Sequence, residues 1–205
     1  MKLSLNEVEM TMRKAARGTG LALGLAEDLG RAAAWLARVG QDGTGLGLAG
    51  LESTQVGGQG QVFPDGLVQF DAARVVRDCP SALDFLVASG DPVHMTDVDV
   101  PGLVAGLAGV VATEHYLRIT LACAGHGDLI VEAGGLIGVL PMDRVDIVLT
   151  CEAAEKVETP TSPTKDITAR ADVWERLSAL AFKTYVPESE ASRLAGAGAG
   201  LLDND

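Results

Sequence analysis

The chain has 205 residues, 47% of them hydrophobic and 21% charged, which is enough apolar material for a packed core and too much for global disorder. Sixteen Lys and Arg stand against 28 Asp and Glu, a formal charge of −12. That argues against a protein tracking a nucleic-acid backbone, which needs basic surface to displace phosphate counterions, and against binding to an anionic membrane surface.

Met1 to Glu7 contains no apolar run of the kind a secretory signal needs. The hydrophobic stretch 21–39 carries Glu27, Asp28, Arg31 and Arg38, too many charges for a membrane span. Cys79, Cys123 and Cys151 are odd in number and widely spaced, so no disulfide framework is expected. The expectation is a cytoplasmic protein with reduced, mostly buried thiols.

Ser4 and Glu7 form a capping box. Leu5, Val8 and Met12 follow at helical spacing, predicting a helix from about 5 to 17 that Gly18 and Gly20 stop. Leu25, Leu29, Ala32, Ala33 and Leu36 make the apolar stripe of a second helix over about 21–39. These two read as a helical hairpin, and residues 1–40 carry six basic and four acidic side chains on an otherwise acidic chain. Residues 40–60 are so dense in glycine that they are expected to be loop. Phe63-Pro64-Asp65-Gly66-Leu67 is a turn sequence between two short strands. Helices are expected to begin near Pro80 and near Pro101, the second capped by Asp99.

The period then changes to two. His115, Leu117, Ile119, Leu121 and Cys123 share one strand face, followed by Leu129, Val131 and Ala133 and by Val145, Ile147, Leu149 and Cys151. This predicts an antiparallel meander with one packed and one polar face. Residues 156–168 are rich in Pro and Thr and read as a linker. A last helix is expected over about 169–183, with a glycine-rich tail behind it.

Gly45, Gly47 and Gly50 satisfy the bare G-x-G-x-x-G pattern, but a helix precedes them where a dinucleotide fingerprint needs a strand. His94, His115, His126 and the cysteines show no pair at metal-ligand spacing, so no metal is expected. His115 and Cys123 on one strand would lie about 26 Å apart. No nucleophile elbow or comparable cysteine setting is present, and no cofactor can be named.

The C-terminal stretch is the most unusual part of the sequence. It holds Lys183, Tyr185, Ser192 and Arg193, then glycines, then Leu201, Leu202, Asp203 and Asp205. Lys183 and Arg193 could grip a carboxylate, with Arg13 and Arg17 of the first helix beside them. The candidate ligand-binding residues are therefore Arg13, Arg17, Lys183, Tyr185, Ser192, Arg193, Asp203 and Asp205.

Arg13 to Gly20, Gly24 to Leu36, and Lys183 to Arg193 with the tail from Gly196 to Asp205 resemble a bacterial family known only as a domain of unknown function, 3726. The resemblance implies a proteobacterial cytoplasmic protein of single-domain size and no particular chemistry. Where the family would have an aromatic before Gly24, this chain has Leu23.

The fold expected is α+β, with an N-terminal helical hairpin and further helices packed on an antiparallel sheet. It is one domain over 1–205: the hairpin at 1–40, an α+β body at 60–152, the linker at 156–168 and the C-terminal helix and tail at 169–205. Two functions are open. One is a protein or enzyme that binds a small carboxylate or amide metabolite at its C-terminal segment. The other is a non-catalytic oligomeric or accessory subunit of a metabolic complex. The small residues Gly102, Ala105, Gly106, Ala108 and Gly109 beside a Leu/Val stripe predict a homo-oligomer. A small-molecule ligand is the partner expected, with no nucleic acid and no membrane.

Overall fold

A computed structural model describes residues 1–155 and 166–185. Strand β1 (Lys2–Leu3) leads into α1 (Leu5–Gly18), which begins at the expected capping box. Glu7 N–H donates to Ser4 Oγ at 3.2 Å, and Ser4 N–H donates to Glu7 Oε2 at 2.7 Å. Val8, Met12, Ala15 and Ala16 form the buried face of α1, which packs on α2 (Leu23–Arg38).

The expected loop over 40–60 instead contains a helix, α3 (Gly43–Glu52). Asp42 caps it, accepting from Gly45 N–H at 2.8 Å. Glycine is a poor helix former, at about 1 kcal/mol per residue relative to alanine. Here close packing outweighs that cost. A Cβ on Gly43 would stand 2.0 Å from the Ala33 carbonyl oxygen, and one on Gly47 would meet Met12 at 2.3 Å. The glycines let α3 lie almost in backbone contact with α2 and leave room for the Met12 side chain of α1. All three glycines of the G-x-G-x-x-G pattern are inside this helix, not in a turn.

β2 (Gln61–Val62) and β3 (Val68–Phe70) form the expected hairpin. α4 (Val75–Ser89) begins five residues before the position that Pro80 suggested, and Pro80 lies inside it. Its first N–H, from Val75, donates to Asp99 Oδ1 at 2.9 Å. Asp99 therefore caps α4, not the helix it immediately precedes. β4 (Val93–Val98) follows, then α5 (Pro101–His115), whose N-cap is Val100. His115 ends this helix and does not open a strand; Tyr116, at φ 55°, closes the helix.

β5 (Leu117–Cys123), β6 (Leu129–Glu132), β7 (Gly135–Ile137) and β8 (Val145–Ala153) build the meander. With β2 to β4 they make a seven-stranded sheet in the order β2-β3-β4-β8-β5-β6-β7. The β3–β4 pair is parallel, because α4 carries the chain back across the sheet, and the other pairs are antiparallel. Ile119, Leu121, Val131, Ile147 and Leu149 are buried against the helices. On the other face Arg118 bridges Glu132 and Glu152 at 2.5 and 3.1 Å.

α5 is the central helix, packed by α2, α3, α4 and the sheet. The small residues that suggested an interface are used inside the protomer. A Cβ on Gly106 would meet Leu36 and the Ala32 carbonyl, and one on Gly109 would enter the Trp35 ring.

Residues 156–165 of the expected linker lie outside the described residues, but its end forms a strand, β9 (Ile167–Thr168), paired with β1. α6 (Ala171–Phe182) then lies on α1, so close that a Cβ on Gly18 would stand 1.9 Å from the Leu180 carbonyl oxygen. The whole is an α+β fold with helices on one face of a mixed sheet. No helix among the described residues is long and apolar enough to cross a membrane.

Candidate functional site

The sequence placed its candidate residues at the junction of α1 with the C-terminal segment, and the structure shows part of that junction. Tyr185 lies over α1: its hydroxyl accepts from Lys14 Nζ at 3.3 Å, and the same ammonium stands 5.5 Å from the ring centroid. Lys183 caps the end of α6 beside Gly18, where a Cβ would be 3.5 Å from its own. Arg17 turns to the Leu21 carbonyl at 3.0 Å, and Arg13 is drawn to Glu27 on α2 at 2.7 Å. Lys183 and Tyr185 thus meet the end of α1, while Arg13 is committed to the hairpin. Ser192, Arg193, Asp203 and Asp205 lie outside the described residues. Leu23 is half exposed at the start of α2.

A second concavity lies at the opposite end of α6. It is a cleft of about 630 Å³ along α3 and at the N-terminal ends of α5 and α6, bordered by the loop between β7 and β8. Each wall has a local cause. Asp42 and Gly45 sit at the capped start of α3. Pro101 at the first position of α5 brings Val100 and Gly102 to the rim, since its ring presets helical φ and its missing N–H is no loss there. α6 contributes Arg170, Asp172, Val173 and Arg176. From the loop come Val139, Leu140 and Met142, and Val139 and Met142 are 85% and 81% exposed.

The polar groups of the cleft are mostly committed to one another. Arg170 holds Asp172 through two N–H···O bonds of 3.2 and 2.7 Å, which lowers the Asp172 carboxyl below its ordinary range. Arg176 is paired with Glu52. Asp42 Oδ1 accepts from the Thr44 hydroxyl and Gly45 N–H. Asp99 Oδ1 accepts from Val75 N–H, and its buried Oδ2 has no hydrogen-bond partner among the described residues. Among the described residues, no three His, Cys, Asp or Glu side chains are grouped to hold a metal ion.

Sequence reasoning missed this cleft. It read Asp99 only as a cap, and it passed over Arg170 and Arg176. One available signal was the apolar run Val139-Leu140-Pro141-Met142, where a proline bars a central strand and so leaves the run outside the sheet.

Residues 3–53, which hold α1, α2 and α3, match the model of a family described as "Protein of unknown function (DUF3726)". No curated protein matches the chain. Among solved structures it is similar to a dehydrogenase from Sinorhizobium meliloti, at 11% identity over 89% of this chain and 94% of that one, with a TM-score of 0.49. A malate dehydrogenase from Pyrococcus horikoshii OT3 is similar at 13% identity over 77% of this chain and 48% of that one, with a TM-score of 0.43. Neither likeness identifies what the cleft binds.

Proposed function

We propose that the protein binds a small amphipathic molecule in the cleft between α3, α5 and α6, an acid or an amide with an apolar body. The observation that carries this reading is the pair Val139 and Met142. Two large apolar side chains stand more than four-fifths exposed on the rim of a cleft large enough for a metabolite. Covering them with an apolar ligand body recovers about 25 cal/mol for each Å² removed from water. The cleft uses the first turns of α6, through Arg170, Asp172, Val173 and Arg176, and none of the residues from Lys183 onward that the sequence singled out.

A thermal-shift screen of full-length protein with small acids, amides and nucleotides tests the reading. A ligand at a hundredfold excess over its dissociation constant adds about 2.7 kcal/mol of stability. At least one acid or amide should raise the melting temperature, and Met142→Asp should abolish the rise while leaving the unliganded melt near wild type. A panel without shifts, or shifts that survive Met142→Asp, would refute the proposal.

A second reading, a non-catalytic subunit of an assembly, draws on the same surface. β7 is the edge strand of the large sheet, and Ile137 at its end is 66% exposed beside Val139. An unpaired edge with adjoining apolar side chains suits another chain as well as a metabolite. Light scattering separates the two readings: self-association that Met142→Asp and Ile137→Asp disrupt, without any ligand shift, favours the subunit.

A further inference from the structure

A groove of about 620 Å³ opens between α4 and the β2–β3 hairpin, and it shares no lining residue with the cleft of α3, α5 and α6. One wall is the segment 58–60, which flanking glycines bring down onto its neighbours. A Cβ on Gly57 would stand 2.4 Å from Asp78 Oδ2, and one on Gly60 would stand 2.7 Å from the Phe70 ring. Another wall is α4, where Arg77, Ser81 and Phe85 recur every four residues and so share one helix face. Leu25 of α2 and Val62 of β2 add apolar surface, and Val62 is 68% exposed.

Two charged side chains line this groove, and they differ in access. Asp78 is buried, and its carboxylate accepts from the backbone N–H groups of Arg74 and Gly58. Arg77 is exposed, and on a chain of net charge −12 it forms no ion pair among the described residues. Its Nη1 donates to the Val56 carbonyl at 3.1 Å, which fastens the segment that walls the groove. Among the described residues its other guanidinium nitrogens have no partner. A guanidinium presents its N–H groups as a planar fork that matches a carboxylate. We infer that this groove is a separate binding site, for a small carboxylate with an apolar body. The carboxylate meets Arg77, with the Ser81 hydroxyl one turn further along the same helix face. The body lies along Phe85, Leu25 and Val62, where it removes apolar surface from water. This site does not rest on the cleft reading above.

Four probes test this: 4-phenylbutanoate, 4-phenylbutanamide, 4-phenylbutylamine and acetate. The amide keeps the shape of the acid without its charge, the amine reverses the charge, and acetate lacks the body. Binding to the full chain is measured by calorimetric titration at millimolar concentration. The acid should bind about tenfold or more tightly than the amide, the worth of a hydrogen bond to a charged group, and more tightly than the amine or acetate. This comparison needs no variant. Arg77→Gln keeps a side-chain N–H donor and loses the charge, so the preference for acid over amide should vanish. Arg77→Lys keeps the charge without the fork and should retain a smaller preference. Val62→Asp puts a like charge at an exposed rim position and should weaken the acid while leaving the unliganded melt near wild type. Met142→Asp, in the other cleft, should change nothing.

Equal binding of acid and amide, tightest binding of the amine, or acetate binding as well as 4-phenylbutanoate overturns the inference. So does acid binding that Arg77→Gln leaves unchanged or that Met142→Asp removes, and so does the absence of acid binding. The cleft reading is kept separate by comparing the wider panel in the Arg77→Gln background, where only the cleft of α3, α5 and α6 answers to Met142→Asp.

Discussion

Asp78 shows how one buried carboxylate ties two segments together. It is 8% exposed and accepts from Arg74 N–H at 2.8 Å, at the start of α4. Burial pushes its carboxyl up, and backbone hydrogen bonds from Arg74 and Gly58 partly pull it back. An acid whose native pKa lies above its unfolded value gives a stability term that is full below the unfolded pKa and is lost as pH rises through the native one. Asn at this position has no such term. The stability of wild type relative to Asp78→Asn should therefore improve as pH falls from 7 to 4, as read by urea denaturation at each pH; a constant difference would contradict the burial argument. The thiols follow the same physics. Burial raises Cys79, Cys123 and Cys151, Cys79 most strongly, and the charges of Asp78 and Asp99 add to its shift. Because the thiolate is the reactive form, native protein should consume Ellman's reagent far more slowly than free cysteine does, and should give three equivalents in guanidinium. Rapid native uptake of two equivalents would show that the sheet face carrying Cys123 and Cys151 is open.

At the level of the element, α3 separates what was legible from what was not. α1 could be read from residues 4–16 because its cap and its stripe are local. β5, β6 and β8 could be read because their alternation is local too. α3 could not, because the reason for its glycines lies on other helices: Ala33 of α2, Met12 of α1 and, for Gly50, Leu103 and Val76. Asp99 was misassigned for the same kind of reason, since the N–H it accepts is 24 residues away. His115 was taken into a strand because the two-residue period runs on smoothly from Leu117, with no stop signal between them. The cleft stayed hidden because it is made where α3 meets the starts of α5 and α6, which no single segment encodes. Gly43→Ala tests the packing account. Its methyl would strike the backbone of α2, and overpacking of this kind costs about 1–3 kcal/mol. Gly127→Ala, with nothing within 4 Å, is the control and should stay within about 0.5 kcal/mol. Similar denaturation midpoints for the two variants would mean that α3 does not approach α2 so closely.

Over the whole molecule, the first residues are bound to the last described elements. Lys2 and Leu3 pair with Thr168 and Ile167, and the Met1 ammonium donates to the Ala169 carbonyl at 3.1 Å while Ala169 N–H donates back at 3.1 Å. The Lys2–Asp166 ion pair beside them is exposed and adds little. Deleting Met1 to Leu3 removes several backbone hydrogen bonds worth about 1 kcal/mol each, and a loss of about 2 kcal/mol lowers the melting temperature by roughly 4–8 °C at this chain length. Hydrogen exchange should quicken in α6 more than in α5. Equal effects on both helices would show that β1 stabilises the fold generally and does not fasten α6.

That pairing also sets a timetable for synthesis. α1 leaves the ribosome before α6, one of its partners, which is made only after the intervening chain, and the contact between Met1 and Ala169 spans 168 positions. At about 5–20 residues per second, the surface of α1 that receives α6 waits roughly 8–34 s for its cover. The capping box and the early hairpin with α2 hold α1 in helical form through that interval, while the Gly18 notch stays open for the Leu180 backbone. A nascent chain stalled before Ala171 therefore displays this surface uncovered, and there a chaperone would have its longest opportunity to bind.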